Sequence, residues 1–157
     1  MTGIKWLMGA ALLASLAIAG AVDFRERQEG LWDRHIQAVV NPGAKKTDLT
    51  STVCRDHAYD KSVTVTKPQD KSCSFNLVDL GGGKYSSEIR CTVQGSVVET
   101  KQTFLYQAGT SVHSETRMTY APPLGGRTDQ TITLDEKYVG ACPAGMKPGD
   151  ESDPTIQ

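Results

Sequence analysis

The sequence predicts a mainly β domain: an antiparallel meander forming a strongly curved sheet or open barrel, with one short helix and two disulfides. Three observations carry that expectation. Runs of roughly ten residues alternate in character and end at glycine turns, the signature of sequential hairpins. Their polar faces exclude the doubly covered strands of a parallel sheet. Four cysteines sit in a chain that opens with an export-like segment.

The 157 residues fit one domain, and 17 basic against 18 acidic residues give no general drive towards nucleic acid or anionic membrane. Residues 1–21 are expected to be a signal peptide: Lys5 is the positive n-region, Trp6 to Ala19 is apolar, and Ala19-Gly20-Ala21 offers a cleavage site. The apolar run is shorter than the ~20 residues of a spanning helix, so no stable membrane anchor is expected after cleavage. The expected product is exported, periplasmic or secreted. It comprises one β-rich domain over 22–147 and an acidic, breaker-rich tail over 148–157 that is expected to be disordered.

An oxidising compartment makes Cys54, Cys73, Cys91 and Cys142 two disulfides. Their spacings of 19, 18 and 51 residues contain no C-x-x-C pair for zinc. Of three connectivities, Cys54–Cys73 with Cys91–Cys142 is expected, because each bridge would tie one mouth of a hairpin to the segment beside it.

Val22 to Gly30 is a charged leader. Gly30-Leu31-Trp32 opens a strand with Trp32, Arg34, Ile36, Ala38 and Val40 on one face, broken at Asn41-Pro42-Gly43. Ala44 to Leu49 is polar and expected as a loop, Thr50 to Val53 as a short strand, and Arg55 to Lys61 as one or two helical turns. The organising hairpin follows, Ser74 to Leu80 and Lys84 to Val93 around Gly81-Gly82-Gly83. Further strands are expected at Ser96 to Tyr106, Ser111 to Tyr120 and Arg127 to Val139, with a loop over Ala121 to Gly126. The inward rows hold many Ser and Thr. Either the core leans on the disulfides or part of that face lines a wet cavity.

Catalytic, metal and cofactor signatures are not found in the sequence. Cys54 beside Asp56 and His57 is expected to be oxidised, and a disulfide sulfur is no nucleophile. Gly81-Gly82-Gly83-Lys84 leads into a strand, where a phosphate loop leads into a helix. His35 and His113 fall on polar faces and could share a metal only if their strands paired, with no third ligand apparent. Trp32, Tyr85, Phe104, Tyr106, Met118 and Tyr120 are the candidate binding face, converging on one concave surface if the meander curls; the alternative is that they are simply core.

The GLW opener at Gly30-Leu31-Trp32, the order of the cysteines around a short polar helix, and the closing run Tyr138 to Asp150 resemble the bacterial exported "domain of unknown function 3617" family. Glu29 stands where that family's opener carries proline, and the strands are poorer in methionine. The resemblance implies a periplasmic, β-rich, disulfide-bonded protein and supplies no catalytic residues. The expected function is therefore a non-catalytic envelope domain binding a small apolar ligand or an envelope protein. A structural or accessory envelope factor is the alternative, followed by a small hydrolase using His57 or His113.

Overall fold

A computed structural model of the chain describes residues 22, 24–64, 68–153 and 155–156. The expected signal peptide over 1–21 lies outside the described residues. Alternating side chains and glycine turns produce seven long or medium strands and a short terminal one. They are β1 (Gly30–Asn41), β2 (Lys45–Arg55), β3 (Ser74–Gly81), β4 (Lys84–Val93), β5 (Ser96–Gln107), β6 (Ser111–Leu124), β7 (Arg127–Gly140) and β8 (Thr155–Ile156). Among the described residues the one helix, α1 (His57–Val63), follows β2. Asp56 caps it, its carboxylate accepting from Tyr59 N at 2.7 Å and satisfying one of the unpaired first-turn donors.

The strands form one sheet in the order β3-β4-β5-β6-β7-β1-β2-β8, with all ladders antiparallel. Among the described residues no ladder joins β3 to β2 or β8, so the sheet is open. The expected meander holds from β3 to β7, after which β1 pairs with β7.

Three expectations about loops and ends are corrected. The polar stretch over 44–49 lies largely inside β2, which pairs with β1 from Gly30↔Arg55 to Val40↔Lys45. Backbone ladder bonds, which are indifferent to side-chain polarity, carry it. Residues 121–124 likewise extend β6 to a tight turn, with Leu124 opposite Arg127. The segment expected as a disordered tail is instead laid along β2. Gly149 N donates to Cys54 O at 2.8 Å, Cys54 N to Asp150 O at 3.0 Å, and Ser152 N to Thr52 O at 2.9 Å. Glu151 bridges Val53, and β8 pairs with Leu49 and Thr50. An acidic composition cannot bury a core, but it can satisfy the exposed donors and acceptors of a sheet edge.

The disulfide pairing is corrected too. The bridges are Cys73–Cys91 and Cys54–Cys142, with Cα–Cα distances of 4.1 and 5.6 Å. Ser74 opposite Arg90 puts Cys73 directly across from Cys91, so the first bridge closes the hairpin's own mouth. Leu31 of β1 pairs with both Cys54 and Gly140, which brings the end of β2 near the exit of β7. The second bridge spans that junction.

Candidate functional site

Register lines up one inward row on each strand. Tyr85 lies opposite Phe104, Phe104 opposite Ser114, Ser114 opposite Leu134, and Leu134 opposite Ile36. At one end of this face Trp32, Val53, Tyr85, Phe104, Tyr106 and Val112 form the buried core cluster. The leader covers it. Phe24 packs on Tyr85, Phe104 and Tyr106 with ring centroids 4.7–5.8 Å apart, and Trp32 Nε1 donates to Gln28 O at 2.9 Å. Four of the six candidate residues thus meet in this cluster. Met118 and Tyr120 lie further along the same face, half-buried, with Tyr120 Oη donating to Met118 Sδ at 3.5 Å.

Between the leader, α1 and the sheet lies a cavity of about 470 Å³, lined by Phe24, Tyr59, Phe104, Val112 and Leu134 among others. Its floor is charged. Glu136, with a side chain only 2% exposed, accepts from Arg27 Nη1 and from Arg55 Nη1, the latter at 2.9 Å. Arg34 Nε lies 3.2 Å from the same carboxylate without hydrogen-bond geometry, and Arg34 Nη1 donates to Glu151. Arg55 Nε donates to Asp60 at 2.8 Å. Burial pulls the Arg27 pKa down, but Glu136 and Tyr106 outweigh it and hold it above its ordinary value. Its guanidinium also lies over the Trp32 and Tyr106 rings, 5.7 and 5.2 Å from their centroids. Arg27 is therefore held as a cation in the cavity wall, beside the carboxylates of Glu136 and Asp60.

Sequence reasoning placed Arg34 in the Trp32 row but missed the network. The available signal was a charge of opposite sign in the inward rows of two strands, Arg34 between Trp32 and Ile36 and Glu136 between Leu134 and Tyr138. β1 and β7 put those two directly opposite each other.

Beyond the cavity the inward rows continue with Ile36, Ala38, Val40, Ile89, Val98, Met118, Tyr120 and Ile132, all half-buried. With Thr100, Thr116 and Gln130 interspersed among them, they make a mainly apolar trough outside the core cluster.

The histidines lie elsewhere. β7 separates the strands of His35 and His113, so the two do not pair directly; both oppose Asp135. His113 Nδ1 lies 2.7 Å from Asp135 Oδ1, and His35 Nε2 lies 2.6 Å from Asp48 Oδ1. No group of three acidic, histidine or cysteine side chains among the described residues is placed to hold a metal ion. His57 contacts Glu29 and the Arg27 carbonyl, at 3.3 and 3.1 Å. These histidine contacts are to carboxylates and a backbone carbonyl.

The fold, the paired cysteines and the GLW opener define a disulfide-bonded antiparallel β domain. The family model described as "Protein of unknown function (DUF3617)" matches residues 27–142, and the chain belongs to that family. No curated protein and no solved structure matches the chain significantly. The two disulfides favour a compartment outside the reducing cytoplasm. No helix among the described residues is long and apolar enough to cross a membrane.

Proposed function

We propose that this chain is an exported, non-catalytic envelope domain that binds a small apolar ligand on the inward face of its sheet. One observation carries the reading. The same face is closed core at the Trp32 end and carries half-buried apolar side chains from Ile36 to Tyr120, while a cavity of about 470 Å³ opens beside the core between the leader, α1 and the sheet. That volume lies within the ~300–1,000 Å³ of small-molecule sites.

A saturable titration with an environment-sensitive apolar dye tests this. Met118→Glu, which places a charge in the trough, is expected to abolish dye binding. Thr131→Glu, at an exposed position in the outward-facing row, is expected to leave it intact. Absence of saturable binding, or indifference to Met118→Glu, would overturn the proposal.

A second reading, docking of an envelope protein, is favoured by the edge strand β3, whose Val78 and Leu80 are 41% and 53% exposed. Edges of this kind template strand addition. Loss of a specific protein cross-link on Val78→Lys, with dye binding unchanged, would favour docking.

A further inference from the structure

We infer that the ligand is a single-chain amphiphile with an anionic head group, bound with its head at Arg34 and its tail along the trough. This rests on the apolar-ligand reading and adds the head group. The inward row of β1 is Trp32, Arg34, Ile36, Ala38 and Val40: a cation stands where the closed core gives way to the open trough. From Arg34 to Val40 is six residues, roughly 20 Å of strand at ~3.4 Å each, the length scale of a fatty-acyl chain.

Charge complementarity selects the head. The cavity lining carries five cations, Arg25, Arg27, Arg34, Arg55 and Lys61, against the carboxylates Glu26, Asp60 and Glu136. The buried pairs are committed: Arg27 and Arg55 hold Glu136, and Arg55 also holds Asp60. Arg34 differs. Its Nε lies 3.2 Å from Glu136 Oε1 but makes no hydrogen bond among the described residues, and the carboxylate to which it does donate is Glu151, whose side chain is 44% exposed. An exposed carboxylate on the segment laid along β2 is a weakly held partner, and an incoming carboxylate or phosphate can replace it. A planar guanidinium suits such a group bidentately. Glu151 thus occupies the head-group position from within the chain and competes with the ligand.

Calorimetric titration of the disulfide-bonded chain with dodecanoate and with dodecanol, both below their aggregation limits, tests this. Dodecanoate is expected to bind saturably and dodecanol about tenfold more weakly, the scale of one charge-assisted hydrogen bond. Arg34→Gln is expected to erase that difference. Glu151→Gln is expected to tighten dodecanoate by about threefold, the scale of a half-exposed ion pair, and to leave dodecanol unchanged. The Glu151→Gln arm keeps the test decisive if a melting curve shows Arg34→Gln unfolded. Equal binding of acid and alcohol, or no gain from Glu151→Gln, overturns the anionic head and leaves the apolar-ligand reading standing. Binding of neither compound overturns both.

Discussion

Gly30 shows how much one residue decides here. Its φ is +141°, and a Cβ at that position would lie 2.3 Å from the Gly140 carbonyl oxygen and 2.7 Å from the Tyr138 ring. The obstacle is backbone on the paired strand, so it cannot swing away. Gly30→Ala is expected to destabilise the domain by at least ~2 kcal/mol, from strain and overpacking together. A thermal midpoint within about 2 °C of the parent would contradict that. On the opposite face, the hydrogen bond to Asp135 raises the His113 pKa above its ordinary value and outweighs partial desolvation. A raised folded-state pKa makes the imidazolium's contribution fully present below the unfolded value of about 6.5 and lost as pH rises through the folded pKa. Histidine titration followed by NMR is expected to place His113 above that value, and Asp135→Asn to lower it. An unshifted His113 that ignores Asp135→Asn would remove the ion pair from the account. Arg34 and Glu136 belong to this scale too. Each was visible as a charge in an inward row, but their meeting depended on β1 pairing with β7, which no local pattern encodes.

At the scale of elements, local signals were the legible ones. Glycine turns set the hairpins from β3 to β7, and the run from Arg55 to Lys61, which lacks β-branched residues, marked the helix, whose start lies at His57 behind the Asp56 cap. Two kinds of element were not legible. β2 is polar along its first half, so alternation gives no sign of it, and it exists because β1 offers a full-length partner. The segment over 148–153 has a disordered composition, yet β2's free edge holds it. The disulfides follow the same division. Cys73–Cys91 is implied once the hairpin register is known, whereas Cys54–Cys142 needs the β7–β1 junction. Sequence separations of 18 and 88 residues imply unequal contributions, on the order of 3 and 5 kcal/mol by loop entropy. Replacing Cys54 and Cys142 by alanine is therefore expected to lower stability more than replacing Cys73 and Cys91, as read by urea unfolding. The reverse order would show that the hairpin mouth, not the β2–β7 junction, holds the domain.

Across the whole molecule, the open antiparallel sheet carries two different faces. Outward rows are charged and exposed, with ion pairs such as Lys101 to Glu99 at 2.7 Å along β5. Inward rows grade from an aromatic core roofed by the leader, through a buried arginine–glutamate floor, to an apolar trough. The six candidate residues span that gradient: Trp32, Tyr85, Phe104 and Tyr106 build the closed end, and Met118 and Tyr120 lie in the trough. Sequence alternation identified the face; which part is sealed depended on the leader, whose Phe24 and Arg27 have no periodic pattern to mark them. The account's central claim is that the unsealed part holds a ligand. Native mass spectrometry of the chain purified from an exporting host tests it most directly, with a denatured spectrum of the same sample showing the deficit of about 4 Da that two disulfides require. The account predicts a non-covalent adduct of one small molecule that is lost on denaturation and absent from Met118→Glu. A bare, disulfide-bonded chain in the native spectrum would contradict it.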